Sequence, residues 1–161
     1  MFNLKAEFYL KIIFLFSFIA LISAFFIEYI LGHQPCNLCL IERIPYGLSI
    51  MIIMLLFLIK KNQKFFILLL ILTFTFSFAI SLYHFGIEQN FFQDSSVCGV
   101  KSLTETITKE DLLKQLSEKT ISCRDVTFRI FGLSLTSINI VISLLFIITL
   151  LKIFNKYEKN K

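Results

Sequence analysis

The sequence predicts an all-α integral membrane protein, a four-transmembrane-helix bundle, and three observations carry this prediction. Of the 161 residues, 57% are hydrophobic and 17% are charged, and the mean hydropathy is +0.79, which is outside the range of soluble globular domains. Four apolar runs approach the length of about 20 residues that a helix needs to cross a bilayer. The polar segment 84–132 is the only long one and leaves no room for a separate soluble domain. We therefore predict a single four-helix membrane domain over residues 1–161.

The predicted spans are residues 12–31, 36–59, 65–83 and 133–151. The second apolar run is the weakest of these, because Pro45 and Gly47 lie near its start and two lysines end it. It becomes long enough if the helix begins near Cys36, a start that Pro35 favours, since proline is well tolerated in the first turn of a helix. Pro45 then lies inside the helix and is expected to kink it. An interfacial loop that ends at Pro45 is the alternative.

The first span also has features of a signal peptide. A basic start, an apolar run and Ser23-Ala24 loosely match the parts of such a peptide. The apolar run continues through residues 25–27, beyond what a signal peptide requires. We therefore predict that this segment is retained as the first transmembrane helix.

Lysine and arginine beside the spans predict the orientation. The flanks that hold both termini and the connection between the second and third spans carry nine basic and two acidic residues. The opposite side carries seven basic and eight acidic residues. Both termini are therefore predicted to be cytoplasmic. The net charge of +5 follows from the cytoplasmic flanks, so a nucleic acid partner is not expected.

The four cysteines form two pairs outside the apolar runs. Cys36 and Cys39 make a CxxC at the predicted start of the second span, and Cys98 and Cys123 lie in the polar segment. With the predicted orientation, all four face the outer compartment, where disulfides form and persist. Four cysteines allow three pairings, and proximity in sequence favours Cys36 with Cys39 and Cys98 with Cys123. Redox chemistry at a membrane surface is the first hypothesis, and purely structural disulfides are the alternative.

A CxxC is also half of a zinc site, which His33 and His84 would be able to complete. Cys98 and Cys123 are 25 positions apart and provide no second close pair of ligands. We therefore predict that the cysteines are redox-active and that no metal is bound.

The surroundings of the CxxC favour a thiolate, the attacking species in thiol–disulfide exchange. The N-terminus of a helix carries a partial positive charge, and Arg43 follows Cys39 by four residues on the same helical face. A guanidinium there also suits an acceptor that gains negative charge, such as a quinone. An interfacial arginine paired with Glu42 or with a lipid phosphate is the alternative. His84, at the predicted end of the third span, lies at the same depth, and Glu28 is a candidate for a proton path.

The polar segment is predicted to contain a short amphipathic helix. Residues 102–105 and 108–111 have the form of capping boxes, and leucines at 112, 113 and 116 share one helical face. Such a helix would lie on the membrane surface in the second periplasmic loop. A solvated spacer helix is the alternative.

Taken together, these features resemble the DsbB family of disulfide bond formation proteins over essentially the whole chain. The features are the four spans, the CxxC that opens the second, Arg43 beyond it, Tyr83-His84 at the end of the third, and a cysteine pair in the second outer loop. The resemblance implies a thiol:quinone oxidoreductase of the bacterial inner membrane. It would reoxidise a periplasmic DsbA-like dithiol protein and pass the electrons to a membrane quinone, either ubiquinone or menaquinone.

The resemblance also implies a role for each cysteine. The reduced partner attacks Cys98 of the Cys98–Cys123 disulfide, and the released Cys123 then exchanges with the CxxC, most simply by attacking Cys36. Cys39 is left as a thiolate against the quinone ring.

Two further residues are implied to bind the quinone. Arg43 would hold it and stabilise its developing negative charge, and His84 would lie near the ring. The segment between Cys98 and Cys123 is lysine-rich rather than aromatic, which leaves open whether the partner is a general or a dedicated thiol oxidase.

Other classes of protein fit the sequence less well. A vitamin K epoxide reductase-like enzyme carries its CxxC near the last helix, whereas here it opens the second. A channel or transporter would need more polar residues along its helices. A structural membrane subunit with disulfide-braced outer loops is the remaining alternative.

Overall fold

The computed structural model describes residues 4–59, 62–92, 123, 129–130 and 133–159. Within these residues the elements, in chain order, are α1 (Leu4–Tyr29), α2 (Asn37–Leu58), α3 (Gln63–Glu88), β1 (Arg129–Ile130), β2 (Leu133–Ser134) and α4 (Leu135–Lys159). Cys98 and the predicted amphipathic helix lie outside the described residues.

All four helices are long and apolar enough to cross a membrane. Large apolar side chains on every helix remain exposed in the isolated chain, among them Phe18, Met54, Phe76 and Leu145. In a bilayer such side chains contact lipid rather than water, so their exposure is expected of a membrane bundle and not of a soluble one. The predicted four-span, all-α membrane fold is confirmed.

The helices differ from the predicted spans mainly at their ends. α2 begins at Asn37, with Cys36 as its N-cap, and runs through Pro45 to Leu58, as the predicted start near Cys36 requires. α3 continues past the predicted end at residue 83 as far as Glu88. The prediction ended the span at the polar residue His84, whereas the helix continues for one more turn, in which Gly86 and Ile87 are buried. His84 therefore lies within α3, one turn before its end.

The helices pack as a sequence of neighbours: α1 along α2, α2 along α3, and α3 along α4. Phe74 of α3 is fully buried at the centre. Its ring lies 4.9 Å from that of Phe146 and 6.3 Å from that of Tyr46, centroid to centroid, both edge to face. The buried residues of this core are Leu10, Ile13, Tyr46, Ile52, Ile53, Leu56, Ile67, Leu70, Phe74, Leu150 and Ile153.

Small polar residues bring the helices close together. The Ser49 hydroxyl of α2 donates to Ser17 of α1 at 3.1 Å, and the Ser143 hydroxyl of α4 donates to Ser77 of α3 at 3.1 Å. All four serines are fully buried. Small side chains and interhelical hydrogen bonds are the usual means of helix association in a membrane, where apolar surface alone gives little specificity.

A short hairpin leads into α4. β1 and β2 pair antiparallel, with Arg129 opposite Ser134 and Ile130 opposite Leu133. Ser134 Oγ then accepts a hydrogen bond from the backbone N–H of Ser137 at 3.2 Å, which satisfies one of the free donors of the first turn. The start of α4 is thereby set beside the end of α3.

Candidate active site

Cys36 forms the N-cap of α2. Its backbone is extended, with φ −72° and ψ 167°, and its Sγ accepts a hydrogen bond from the backbone N–H of Cys39 at 3.3 Å. The sulfur thus occupies the place that a serine or aspartate oxygen fills at many helix starts. It lies at the positive end of the helix dipole, which favours a negatively charged sulfur.

Cys36 and Cys39 are free thiols with their sulfurs 2.8 Å apart. A disulfide bond is about 2.05 Å long, so only a small movement separates this arrangement from a bonded pair. Cys36 is buried and Cys39 is half-buried. The pair is therefore arranged to open and close as a dithiol and disulfide, with Cys39 as the more accessible member.

The pKa of the Cys36 thiol is lowered from 9.0 to about 4. The main cause is the hydrogen bond from the Cys39 thiol; burial acts in the opposite direction, and His84 lowers the pKa further through a hydrogen bond and through its charge. Cys36 is therefore the thiolate of the reduced pair at neutral pH.

We expect the Cys36 thiolate of the reduced protein to persist on acidification until the pH approaches about 4. Because the folded state binds this proton less readily than the unfolded state, the stabilisation is fully present above about pH 9 and is lost as the pH falls through about 4. The ultraviolet absorbance of the thiolate, measured as the difference between the parent and Cys36→Ser, gives the midpoint. A midpoint near that of an ordinary thiol, about 8.5, would contradict the expectation.

His84 connects the cysteines to a buried polar network and is 2% exposed. Its Nε2 lies 3.6 Å from Cys36 Sγ, and its Nδ1 lies 2.9 Å from Glu42 Oε1 and 3.2 Å from Thr136 Oγ1. The Thr136 hydroxyl donates its own hydrogen to Glu88 Oε1 at 2.7 Å, so its oxygen is left as an acceptor towards Nδ1. Both partners of Nδ1 are then acceptors. We infer that Nδ1 carries a proton and that Nε2 faces the sulfur.

Glu42 anchors this network from α2. While Oε1 contacts His84, Oε2 accepts a hydrogen bond from Asn139 Nδ2 at 3.1 Å. Asn139 also donates to Ser81 Oγ at 2.7 Å and accepts from the Tyr46 hydroxyl. A buried carboxylate is tolerated only when it is paired and hydrogen-bonded, and Glu42, 9% exposed, meets both conditions. The network joins α2, α3 and α4 and holds the imidazole in place.

Arg43 faces a different helix from its neighbour Glu42. Its guanidinium forms an ion pair with Glu28 of α1 and lies 5.4 Å from the ring centroid of Phe25. The alternative partner considered for Arg43, Glu42, is instead paired with His84. Glu28, a proton-path candidate in the sequence, is here the counter-ion of Arg43. On α2, the cationic Arg43 therefore faces α1, and the carboxylate of Glu42 faces α3 and α4.

Cys123 lies beside the CxxC. It is 2% exposed and belongs to the same buried cluster as Cys36, together with Leu38 and Ile87. Cys123 is disulfide-bonded, whereas Cys36 and Cys39 are free. Of the predicted site residues, the described part of the chain brings together the CxxC, Cys123 and His84. Arg43 is one helical turn beyond Cys39.

Sequence reasoning missed the polar groups that complete the site. Glu42 was considered only as a partner for Arg43, and Asn139 was not assigned to the site. Glu88 and Thr136 were not considered. A signal for Glu88 was present, because it follows His84 by four residues and therefore shares its helical face. Thr136 gives no such signal, since its role depends on how α4 packs against α3.

A buried dithiol with one stabilised thiolate, set at one end of four apolar helices, defines a membrane-embedded thiol oxidoreductase. Comparison with known proteins agrees with this class. The family model described as "Disulfide bond formation protein DsbB" matches residues 6–153. The chain is also 30% identical, over 147 residues, to "Uncharacterized protein RP370" of Rickettsia prowazekii (strain Madrid E), with 90% of this chain and 86% of that protein covered. The chain belongs to the DsbB family of disulfide bond formation proteins.

Proposed function

We propose that this protein is a thiol:quinone oxidoreductase that reoxidises a periplasmic DsbA-like dithiol protein and passes the electrons to a membrane quinone. The observation that carries the proposal is the CxxC itself: two free sulfurs 2.8 Å apart, with Cys123 packed beside them. The net reaction converts two thiols and a quinone into a disulfide and a quinol, so two electrons and two protons are transferred together.

The thiol half of the reaction uses Cys98 and Cys123. The partner's thiolate attacks Cys98, which we propose to be the disulfide partner of Cys123, and Cys123 leaves as a thiolate. Cys123 then attacks Cys36 of the oxidised CxxC, and Cys39 leaves with the electron pair. The partner's second thiolate displaces Cys98, so the partner leaves as a disulfide, and Cys98 attacks Cys123, which reforms the Cys98–Cys123 disulfide and releases Cys36. The CxxC is then a dithiol whose two electrons and two protons pass to the quinone. The position of Cys123 in the same buried cluster as Cys36 supports this order of exchange, because the two residues need no large movement to meet.

The quinone half uses the side of α2 that faces α1. Arg43 contacts α1 and is 17% exposed, Cys39 is half-buried one helical turn before it, and Leu40 and Ile44 of the same helix are 44% and 60% exposed. This combination of a cation, a thiol and an apolar lipid-facing surface fits a lipid-soluble acceptor with polar carbonyl groups. A quinone supplies a two-electron acceptor when it is bound. Arg43 would bind it and favour the negative charge that it gains, and Cys39 would deliver the electrons.

His84 lies beside the CxxC on the side of α3. The resemblance suggested a position near the quinone ring, and the described contacts of His84 are with Cys36, Glu42, Thr136 and Glu88. We propose that it stabilises the Cys36 thiolate during the time in which the dithiol is reduced. In this proposal Cys39 and Arg43 serve the transfer of electrons to the quinone, and His84 stabilises the thiolate of Cys36.

The location proposed for the protein is the bacterial inner membrane, with both termini cytoplasmic and the cysteines periplasmic. This orientation places the CxxC in the compartment in which protein disulfides are formed. Attachment of a membrane-impermeant thiol reagent to Cys39 in intact spheroplasts tests it, because a cytoplasmic CxxC would be protected.

The function is tested with purified protein, a reduced thioredoxin-fold dithiol protein and a soluble quinone. We expect stoichiometric oxidation of the dithiol and reduction of the quinone, followed by quinone absorbance and by thiol counting. Ubiquinone and menaquinone analogues are compared in separate reactions. If neither is reduced and the cysteines never exchange with the partner, the proposal fails and the disulfides are structural.

Arg43→Ala is expected to raise the KM for quinone by about 10- to 100-fold. A hydrogen bond to a charged group contributes about 1.5–3 kcal/mol, and each 1.4 kcal/mol is about a factor of ten in affinity. Steady-state kinetics with varied quinone and a constant dithiol concentration measure the change. Arg43→Lys keeps the charge but not the planar pair of donors, and an intermediate KM is expected.

The matched control is Lys11→Ala on α1. Lys11 is also paired with a glutamate, Glu7 at 3.0 Å, but it is 63% exposed and lies far from the CxxC in sequence. Its replacement is expected to leave the KM unchanged. Equal effects of Arg43→Ala and Lys11→Ala would show that positive charge in general, rather than a binding site at Arg43, is responsible.

A further inference from the structure

We propose that Cys36, Cys39 and His84 of the reduced protein form a zinc site that inhibits the enzyme by holding the CxxC reduced. Zinc binding depends on these residues alone, and its inhibitory consequence rests on the proposed function. The sequence favoured redox cysteines over a metal centre. The two are compatible, because the metal would use only the reduced state of the same pair.

The three donor atoms already converge. The two sulfurs and a ring nitrogen of His84 all lie within 4.8 Å of one another, and Cys36 Sγ is 3.6 Å from Nε2. Tetrahedral zinc, with bonds of about 2.3 Å to sulfur and about 2.0 Å to nitrogen, places a sulfur about 3.5 Å from a nitrogen and two sulfurs about 3.8 Å apart. The sulfur–nitrogen distance fits as it stands. The sulfurs, 2.8 Å apart, need to separate by a side-chain rotation.

The other ring nitrogen of His84, Nδ1, already has the carboxylate partner that is usual for a zinc-bound histidine. A zinc-bound histidine usually donates its other ring N–H to a carboxylate, which fixes the tautomer and the ring orientation. Here Nδ1 contacts Glu42 Oε1 at 2.9 Å, and Thr136 adds an acceptor on the same nitrogen. Nε2 faces the sulfurs and presents its lone pair to the metal once the proton that it carries in the charged imidazolium is released. Asn139, which donates to Glu42 Oε2, fixes the carboxylate in turn.

The charges of such a site also balance. Two thiolates and Zn²⁺ sum to zero, and the imidazole ligand is neutral, so binding places no net charge in a largely buried location, where an unpaired charge is costly. Binding releases a proton from each ligand that is protonated beforehand, whether that ligand is a thiol or His84 Nε2. Three protein ligands leave the fourth zinc position open to water. The donor set of thiolates and imidazole selects zinc over magnesium or calcium.

The redox state of the pair controls the site. In the disulfide form neither sulfur is a thiolate, so the site loses two of its three ligands. In the reduced form zinc is coordinated by the sulfur of Cys39, the atom that is proposed to deliver electrons to the quinone. Zinc therefore stabilises the reduced protein and blocks its reoxidation until the metal is removed.

The binding experiment uses full-length protein in which Cys98→Ser and Cys123→Ser leave the CxxC as the only thiols. The reduced protein is titrated with Zn²⁺ in competition with a chromophoric chelator, and with Co²⁺ as a spectroscopic probe. We expect one metal per chain and a Co²⁺ spectrum with thiolate charge-transfer bands. The same protein, oxidised to the Cys36–Cys39 disulfide, is expected not to compete with the chelator.

Three variants and one control variant separate a three-ligand site from chelation by two sulfurs. Cys39→Ser is expected to abolish competition with the chelator, and Glu42→Gln to weaken zinc affinity by about 10- to 100-fold, the usual effect of losing an outer carboxylate. His33→Ala, which changes the other of the chain's two histidines, is the matched control and should bind zinc as the parent does. His84→Gln should remove the nitrogen ligand and change the Co²⁺ spectrum.

Two results would overturn the proposal. One is absence of one-to-one zinc binding by the reduced parent. The other is that His84→Gln has the same zinc affinity and the same Co²⁺ spectrum as the parent. This result would show that the two thiols alone bind the metal. Since no quinone or partner protein is present, these results are independent of thiol oxidation. With the four-cysteine protein, zinc should then stop quinone reduction and a chelator should restore it.

Discussion

Cys39→Ser is expected to reduce quinone-linked thiol oxidation to the uncatalysed background, the largest effect of any single substitution considered for this protein. Every electron that leaves the CxxC in the proposed reaction passes through Cys39. A serine hydroxyl neither forms the Cys36–Cys39 disulfide nor reduces a quinone. Its volume is close to that of cysteine, so packing at the start of α2 is retained.

The measurement is the initial rate of quinone reduction at saturating dithiol partner, compared between the parent and Cys39→Ser. Cys36→Ser serves as the companion variant, because it keeps Cys39 and removes the sulfur beside His84. It is expected to be equally inactive in turnover, although its Cys39 remains available to the quinone. In Cys39→Ser, the Cys36 thiolate is expected instead to attack Cys123 of the Cys98–Cys123 disulfide, which forms a Cys36–Cys123 disulfide and releases Cys98 as a thiolate.

That disulfide tests whether Cys36 and Cys123 exchange directly with each other. Digestion under non-reducing conditions followed by mass spectrometry identifies it. If Cys39→Ser retained a substantial fraction of the parent's rate, the electrons would leave by another route, and the assignment of Cys39 as the quinone-facing residue would be wrong.

Glu42→Ala is expected to lower the free energy of unfolding by about 3–5 kcal/mol, the usual cost of removing one partner from a buried pair. The substitution leaves His84 Nδ1 and Asn139 Nδ2 without the carboxylate that accepts from them. Nδ1 then keeps only the longer contact with Thr136, and Asn139 keeps one buried N–H without an acceptor, which retains its desolvation cost. The carboxylate also ties α2 to α3 and α4, so its loss affects three helices together.

Reversible unfolding in mixed micelles, followed by far-ultraviolet circular dichroism, measures the change. The matched control is Glu7→Ala, which removes the glutamate of an exposed pair on α1, with Glu7 39% exposed. A change of less than about 1 kcal/mol is expected for this surface pair. Similar losses in the two variants would show that the Glu42 network contributes no more to stability than a surface ion pair.

Much of the fold was predictable because its signals are local. Each span needs only a run of apolar residues, and each predicted span overlaps a helix, although α1 begins at Leu4 rather than residue 12 and α4 ends at Lys159 rather than residue 151. The start of α2 at Asn37, with Cys36 as its cap, followed from Pro35 and from the length required of a membrane helix. The end of α3 was predicted too early, because hydropathy falls at His84 while the helical hydrogen bonds continue to Glu88.

The partners of the charged residues were not predictable in the same way. Glu42 and Arg43 are adjacent, and the sequence offered each to the other as a partner. Adjacent residues on a helix point in directions about 100° apart, since 3.6 residues complete a turn. Each of these side chains therefore contacts the helix that packs against its own face of α2. For Arg43 this is Glu28 of α1, and for Glu42 it is His84 of α3.

By itself, the sequence determined that this protein is a four-span membrane protein with a CxxC at the first turn of the second helix. Hydropathy and helical periodicity depend on residues near one another in the chain, so they need no tertiary information. Only the tertiary structure decided that Cys36 lies against His84, that Glu42 and Thr136 fix that histidine, and that Arg43 faces α1. These contacts join residues up to 52 positions apart, as between His84 and Thr136, and they exist only because of how the helices pack.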